Sequence, residues 1–264
     1  MLQAPLKINF SRFKISEWGE SQGMNISTLR KIIVSLRQIF ALAVKRGYCI
    51  LNPVDGADKP RTQGSVEDET GKIYILTPCQ ISDLLKAVTK QKYHALFKLA
   101  IFSGARQGEL LGLKWSDILW KDSQIFIQRT FNNGKFYITK TKGSLRKVDI
   151  GPSTMKTLRE WQIACPPGEL NLVFPTNSGN PMNHNNMVNR YFTPGLVAAG
   201  IEKIKFHALR HTYASLLIEQ GENIKYIQTQ LGHSSPTVTL NVYAHLMKPT
   251  NQKAACRLED AVFK

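Results

Sequence analysis

Apolar residues near the start of the chain recur at three- and four-residue steps, which is the spacing of an amphipathic helix. The apolar stripe consists of Leu29, Ile32, Ile33, Leu36, Ile39, Phe40 and Ala43. Ser27 precedes the stripe and Gly47 follows it, so these two residues are the predicted start and stop of the helix. The pattern therefore predicts a small helical unit in this part of the chain.

A stretch rich in Pro, Gly, Asp and Glu follows between Pro53 and Lys72, and it has almost nothing to bury, which is typical of a linker. Beyond it, Thr77-Pro78-Cys79-Gln80 supplies a capping threonine, a proline at the first helical position and a glutamine that closes a capping box. We therefore predict a helical unit over residues 1–62, a linker over 63–72 and a larger domain over 73–264.

The larger domain alternates between helical periodicity and one region of short strands. Asn132-Asn133-Gly134 lies between two alternating runs and indicates a β-hairpin. The predicted strands cover residues 124–130, 135–140 and 145–150. The predicted helices cover residues 78–89, 93–103, 153–164, 183–199, 207–220 and 223–230, and one more begins near Ser235. The pattern predicts a mainly α fold with a small antiparallel β-sheet, of the α+β class.

Positive charge dominates the chain, with 35 Lys and Arg against 19 Asp and Glu and a net charge of +16. Both predicted domains share this excess, which favours a polyanionic partner, and nucleic acid is favoured over an anionic lipid surface. The four cysteines are scattered singly, which argues against a zinc site or a redox pair. No uninterrupted run of about 18 apolar residues occurs, so we expect a cytoplasmic protein that does not engage a membrane.

Two imidazoles, a guanidinium and a phenol lie within a short C-terminal stretch. His207 and Arg210 are three residues apart, His233 follows a glycine, and Tyr243 comes ten residues later. A tyrosine hydroxyl has an ordinary pKa of about 10, so it attacks a phosphodiester only when a neighbour takes its proton and cations neutralise the phosphate. The basic residues near Tyr243 in the sequence meet this requirement.

Two earlier segments complete the set. Ser103-Gly104-Ala105-Arg106 places an arginine in a turn after an apolar helix, and Glu109 lies three residues further on. The turn between the last two predicted strands carries Lys140 and Lys142. With these segments, the chain resembles the tyrosine recombinases, in the phage-integrase branch, over about residues 8–250.

The resemblance implies a nucleophile and a set of groups that hold the phosphate. Tyr243 attacks the scissile phosphate and forms a 3′-phosphotyrosyl link. Arg106 and Arg210 clamp the non-bridging oxygens, and Glu109 supports the site. His233 donates to the phosphate in the transition state.

The resemblance also implies groups that transfer protons. His207 is the hydrogen-bond partner or proton acceptor near the nucleophile, and a lysine of the hairpin protonates the departing 5′ oxygen. Lys140, at the strand end, fits the family pattern, and Lys142 is the alternative because the longer turn shifts the alignment by a residue or two. The covalent link conserves the energy of the broken bond, so no ATP, metal ion or other cofactor is expected.

A biological setting follows from the same resemblance. It implies a site-specific DNA recombinase, or integrase, of a mobile genetic element, with residues 1–62 as the later part of a DNA-binding core-binding domain. Residues 73–264 then form the catalytic domain with a C-terminal tail. The implied partners are double-stranded DNA, further copies of the chain in a homotetramer on DNA, and an accessory directionality factor. The free protein is expected to be a monomer or a weak oligomer.

Each residue also has an ordinary explanation when it is taken alone, as a surface arginine, a solvated lysine or a buried tyrosine. His207 and His211, four residues apart, also suggest a zinc site, although no acidic or thiolate cluster completes it. Three other functions therefore stay open: a type IB topoisomerase, a non-catalytic DNA-binding protein derived from an integrase, and a zinc hydrolase. Plasmid relaxation without strand exchange distinguishes the first, and metal analysis after chelation distinguishes the last.

Overall fold

The computed structural model of the chain describes residues 18–19, 21–56, 74–138, 145–233, 235, 256 and 260–263. The chain divides into two compact units, residues 1–72 and residues 73–264. The predicted linker and the helix expected to follow Ser235 lie outside the described residues. Within the described ranges, no helix is both long enough and apolar enough to cross a membrane.

Helix α1, Ile26–Lys45, is the main element of the first unit. Asn25 caps this helix in place of the predicted Ser27, because its side-chain oxygen accepts a hydrogen bond from the backbone N–H of Ser27 at 2.8 Å. The helix ends at Lys45, and Gly47 follows in the left-handed conformation with a φ of 76°. The predicted helix is thus confirmed, with a start that is one residue earlier than the predicted cap.

A turn packs on α1 and closes a small apolar cluster. Leu29 and Ile33 are buried together with Val54. The Arg37 guanidinium donates to Asp55 Oδ1 at 3.1 Å and to the carbonyl oxygen of Val54 at 3.2 Å. The described part of the first unit is therefore held by one apolar cluster and by a side chain that bridges helix and turn.

In the described part of the second unit, helices surround small antiparallel sheets. The α-helices are α2 Pro78–Ala87, α3 Gln91–Ser103, α4 Gln107–Leu111, α5 Pro152–Ala164, α6 His184–Met187, α7 Thr193–Ala198, α8 Ala208–Glu219 and α9 Ile224–Leu231. The strands are β1 Ile118–Leu119, β2 Gln124–Ile127, β3 Arg129–Asn132, β4 Lys135–Ile138 and β5 Arg146–Asp149. A 3₁₀ turn, Trp115–Asp117, precedes β1, and a π-helical turn, Val188–Phe192, joins α6 to α7. The predicted fold class is confirmed.

Helix α3 lies at the centre of the core of the second unit. Most of its side chains are buried, and it packs against α5 and α8. Phe97 lies edge-on to Phe192 and Phe206, with ring centroids 5.3 and 6.1 Å apart, an arrangement that aromatic rings favour. The core therefore fixes the C-terminal end of α3, from which the chain leaves toward Arg106.

In the second unit, the helix-boundary signals at Thr77, Gly104 and Gly232 are confirmed. Thr77 Oγ1 accepts from the backbone N–H of Gln80 at 3.2 Å, and Gln80 Oε1 accepts from the backbone N–H of Thr77 at 2.9 Å, which is the predicted capping box. Gly104 ends α3 with a φ of 59°, and Gly232 ends α9 with a φ of 65°. Both values lie in the left-handed region, which glycine enters without steric cost.

The described strands form two sheets, whereas the sequence predicted one. The first sheet has the order β1-β2-β5, and β3 pairs only with β4 in a hairpin. The predicted strand over residues 124–130 is divided at Gln128, whose side chain donates to Asp117 at 2.6 Å, and Arg129 pairs with the same carboxylate. These bonds to a buried acid redirect the chain between β2 and β3, so the prediction of a continuous strand is wrong.

Candidate active site

Arg106 lies in the turn after α3, immediately before α4, a short helix that was not predicted. Its backbone N–H donates to Glu109 Oε2 at 2.7 Å, and its Nη1 donates to Glu109 Oε1 at 3.0 Å. The Arg106 side chain is 43% exposed, whereas the Glu109 side chain is 4% exposed. The turn thus presents a guanidinium at the surface and buries the carboxylate that orients it.

Glu109 also binds a second arginine, Arg146, at the start of β5. Arg146 Nη1 and Nη2 lie 3.0 and 2.7 Å from the two carboxylate oxygens. Burial opposes ionisation of Glu109, but the hydrogen bonds and charges of Arg146 and Arg106 outweigh it and hold the pKa of the carboxyl below its ordinary value. Glu109 is therefore a buried, ionised group that two guanidiniums share.

His207 and Arg210 lie at the N-terminal end of α8, with His207 just before the helix. Arg210 is buried, and its Nη1 donates to the carbonyl oxygen of Gly104 at 2.7 Å. The imidazoles of His207 and His211 lie edge-on, with ring centroids 4.9 Å apart. The start of α8 is thereby tied to the turn that carries Arg106.

His233 follows the glycine that ends α9. Its backbone N–H donates to the carbonyl oxygen of Gln228 at 3.2 Å, and Gln228 Nε2 donates to the carbonyl oxygen of His233 at 3.1 Å. These two bonds fix the backbone of His233 against the last turn of the helix.

Three consecutive carbonyl oxygens at the end of α9 each accept a hydrogen bond from a different arginine. The pairs are Gln230 with Arg146 Nε at 2.7 Å, Leu231 with Arg210 Nη2 at 2.7 Å, and Gly232 with Arg106 Nη2 at 3.5 Å. The last carbonyls of a helix lack intrahelical partners and carry the negative end of its dipole, so cations are favoured there. We call these three side chains the arginine cluster, and it places three positive charges directly beside His233.

The arginine cluster and burial together keep the site histidines neutral. Burial lowers the pKa of His207 to about 4, and the charges of His211 and of two arginines act in the same direction. Burial and the charges of all three arginines lower the pKa of His233 to about 4. Near pH 7, His207 is therefore able to accept a proton, and His233 is able to donate one hydrogen bond from a neutral ring.

The structure brings part of the predicted set together. The predicted residues that meet at the end of α9 are Arg106, His207, Arg210 and His233. The predicted residues that lie outside the described part of the chain are Lys140, Lys142 and Tyr243. Among the described residues, no cluster of three or more His, Cys, Asp or Glu side chains is arranged to hold a metal ion.

Arg146 is a member of the site that the sequence analysis did not assign. The strand β5 alternates between buried and exposed positions, and Arg146 shares the buried face with Val148. A charged residue at an inward position of a strand requires a buried partner of opposite charge. This alternation was the signal in the sequence, but it does not reveal that the partner is Glu109.

Comparison with known proteins identifies the family to which the chain belongs. Residues 75–249 match the model of the phage integrase family. The chain is 32% identical to a tyrosine recombinase XerC-like protein of Caldanaerobacter subterraneus, over 90% of the chain and 67% of that protein. It is 27% identical to the ICEBs1 integrase of Bacillus subtilis, again over 90% and 67%. The Tn1549 transposon integrase, solved with transposon right end DNA, shares the fold with a TM-score of 0.73 at 22% identity, over 97% of this chain and 86% of that one.

The class that emerges is that of the tyrosine recombinases, enzymes that exchange DNA strands at specific sites. The chain belongs to the phage integrase family, because the family model matches well over half of its length. The resemblance and the enzyme class expected from the sequence are thereby confirmed.

Proposed function

We propose that this recombinase is an integrase that cleaves and rejoins DNA through a 3′-phosphotyrosyl link to Tyr243. The observation that supports the proposal is the convergence of three guanidiniums and two neutral imidazoles at the end of α9. Tyr243 follows His233 by ten residues. Fixed cations of this kind stabilise the charge that develops on a phosphate during attack.

In the proposed first step, the hydroxyl oxygen of Tyr243 attacks the scissile phosphorus and its proton passes to His207. The bond from phosphorus to the 5′ oxygen breaks as the bond to Tyr243 forms, and Lys140, or alternatively Lys142, donates a proton to the departing oxygen. A 5′ hydroxyl of a second strand then attacks the phosphorus and gives its proton to the lysine. The bond from phosphorus to the Tyr243 oxygen breaks, and His207 returns its proton to that oxygen. Because one phosphate ester replaces another at each step, the energy of the broken bond is conserved and the cycle consumes no ATP.

The phosphate-binding roles differ between the two predicted arginines. Arg106 has a half-exposed guanidinium, which suits direct contact with a non-bridging oxygen of the incoming DNA. Arg210 is buried and holds two carbonyl oxygens, so its contact with phosphate requires that the DNA reach deep into the site. His233 is proposed to donate to the phosphate in the transition state.

Double-stranded DNA is the proposed partner, since both units are basic and since the Tn1549 and lambda integrases have been solved bound to DNA. We further propose that residues 1–62 bind the DNA as a core-binding domain and that residues 73–264 form the catalytic domain. The free protein is proposed to be a monomer or weak oligomer that assembles into a homotetramer on the DNA. An accessory directionality factor, a cytoplasmic location and a mobile-element origin complete the proposal, the last because relatives include integrases of phage and ICEBs1 origin.

Covalent trapping tests the proposed nucleophile. Duplexes tiled across the ends of the DNA element that encodes the chain, each nicked near one candidate cleavage position, release a short fragment on cleavage and leave the protein attached. We expect a denaturation-resistant adduct with the wild type and with the control Tyr226→Phe, and none with Tyr243→Phe. An adduct of normal yield with Tyr243→Phe overturns the assignment.

A second assay separates the proposed recombinase from a relaxing topoisomerase. Supercoiled plasmids that carry two target sites yield exchanged products if the enzyme recombines them. Relaxed plasmid without exchanged products supports the topoisomerase alternative instead.

A further inference from the structure

Arg146 is a buried member of the arginine cluster, and every hydrogen bond described for it is internal. Its side chain is 2% exposed. Two of its bonds go to the carboxylate of Glu109, and the third goes from Nε to the carbonyl oxygen of Gln230. Arg146 thus connects the turn of Arg106 to the helix end that precedes His233.

We propose that Arg146 is a positioning residue for strand cleavage, which orients Arg106 through Glu109 and orients His233 through the end of α9. The inference rests on the proposed function of this site. Arg146 does not contact the DNA in this proposal, because its guanidinium group is hydrogen-bonded to Glu109 and Gln230 inside the protein.

Charge balance gives the first physical reason for this role. Glu109 is hydrogen-bonded to Arg106, and a carboxylate so close to a phosphate-binding guanidinium opposes the attraction of that guanidinium for an anion. Arg146 compensates the carboxylate with a bidentate pair, so the three charges sum to one positive charge. Glu109 is then able to orient Arg106 without cancelling its charge.

Geometry gives the second reason. The bond from Arg146 Nε to Gln230 is one of the contacts that dock β5 onto α9. At the other end of the strand, Asp149 accepts from Tyr226 Oη at 3.0 Å and from Gln230 Nε2 at 3.3 Å, and the Gln230 side chain accepts from the backbone N–H of Asp149 at 2.9 Å. The strand that begins just after the segment containing Lys140 and Lys142 is therefore fixed to the helix that carries His233.

This docking provides a matched control within the same contact. Tyr226→Phe removes one hydrogen bond from the exposed end of the contact between β5 and α9, away from Glu109 and the arginine cluster. Arg146→Lys keeps a positive charge but loses the fork geometry, and Arg146→Met removes the charge. Because Arg146→Met leaves Glu109 without a main partner, the double variant Arg146→Met/Glu109→Gln is included in case the single variant does not fold.

The experiment measures adduct formation by the full chain in single turnovers at saturating DNA, together with the Kd for the same duplex and the melting temperature. Two scissile phosphates are compared, the natural one and one in which a methyl group replaces a non-bridging oxygen. The methyl-substituted group carries no negative charge, so attack on its phosphorus depends less on correctly placed cations.

For Arg146→Lys on the natural phosphate we expect a loss of about tenfold or more in the rate, with Kd changed by less than about threefold. The loss is expected to shrink on the neutral phosphate, and Tyr226→Phe is expected to behave as the wild type on both. If Arg146→Met folds poorly, the double variant is expected to melt at a higher temperature than Arg146→Met. Its loss of cleavage rate is still expected to be larger on the natural phosphate than on the neutral one.

Equal losses on the two phosphates, or a wild-type rate for Arg146→Lys, overturn the inference, because a purely structural residue does not distinguish the charge of the substrate. A wild type that forms no adduct on any duplex overturns the proposed function instead, so the two failures are distinguishable.

Discussion

Arg210 donates through Nη2 to the carbonyl oxygen of Leu231 at 2.7 Å, and through Nη1 to the carbonyl oxygen of Gly104 at the same distance. One guanidinium therefore ties the end of α3 to the end of α9. The same two helix ends lead to Arg106 and to His233, so the phosphate-binding groups are held together by a side chain that is itself part of the proposed site.

The contrast in burial between the two arginines leads to the first prediction. Arg210→Gln leaves buried carbonyl oxygens without a donor, so we expect the free energy of unfolding to fall by at least about 2 kcal/mol. Arg106→Gln removes a half-exposed group while Glu109 keeps Arg146, so its loss of stability is expected to stay below about 1 kcal/mol. Denaturant unfolding measures both values.

Arg106→Gln and Arg210→Gln are expected to reduce the rate of cleavage to a similar extent. Each removes a fixed cation proposed to face the phosphate, so each should reduce the rate of adduct formation by about 10²-fold or more at saturating DNA. An Arg210→Gln variant that is as stable as Arg106→Gln contradicts the structural role assigned to Arg210.

The depressed pKa values predict the pH dependence of cleavage. His207 accepts a proton only in its neutral form, and its pKa of about 4 keeps it neutral far below the ordinary value for histidine. Burial lowers this pKa most, the charges of His211, Arg210 and Arg106 lower it further, and Glu109 opposes them. We therefore expect kcat/KM for cleavage to show no decline centred near pH 6.5, because kcat/KM reports the free enzyme.

A bound phosphate adds negative charge beside the same imidazoles and raises their pKa values. The rate at saturating DNA is therefore expected to fall with acidification at a higher pH than kcat/KM does. Single-turnover rates between pH 5 and pH 8, with DNA binding measured at each pH, provide the comparison. A decline of kcat/KM near pH 6.5 that is absent from His207→Gln contradicts the prediction.

Gly104 carries a third prediction, because its position demands both a left-handed backbone and empty space. A Cβ atom at Gly104 lies 2.4 Å from Tyr213 Cδ1 and 3.0 Å from Leu231 Cδ2. Gly200 has a similar positive φ, but a Cβ atom at Gly200 has no heavy atom within 4 Å. We expect Gly200→Ala to cost about 1 kcal/mol of unfolding free energy and Gly104→Ala to cost clearly more, since overpacking adds about 1–3 kcal/mol.

Unfolding measurements on the two alanine variants decide this prediction. Equal losses contradict it, because they leave the contact with Tyr213 without effect. The displacement of Tyr213 is also expected to disturb the carbonyl of Gly104, so the Gly104→Ala variant should lose cleavage rate while Gly200→Ala retains it.

The predictions from sequence succeeded where the signal and its effect are close together along the chain. The capping box of Thr77 and Gln80 and the helix stop at Gly232 each involve residues within a few positions of one another. Such local chemistry fixes helix ends largely independently of the tertiary structure.

The predictions failed where a distant residue decides the outcome. The break at Gln128 depends on Asp117, 11 positions earlier, and the pairing of Ile127 with Arg146 joins strands that are separated by a hairpin. The partnership of Arg146 with Glu109 spans 37 positions. No pattern of apolar and polar residues identifies such partners, and the resemblance to a family predicted the site residues only from their motifs.

The choice between Lys140 and Lys142 yields the last prediction. If a lysine protonates the departing 5′ oxygen, then replacing that oxygen by sulfur removes the need for an acid, since a thiolate leaves unaided and an alkoxide does not. We expect Lys140→Ala to lose about 10²-fold or more in adduct formation on the natural duplex and to recover most of it on the sulfur-containing duplex. Lys142→Ala serves as the control and should lose little on either. The opposite pattern identifies Lys142 as the acid, and a loss that sulfur does not restore in either variant shows that neither lysine donates the proton.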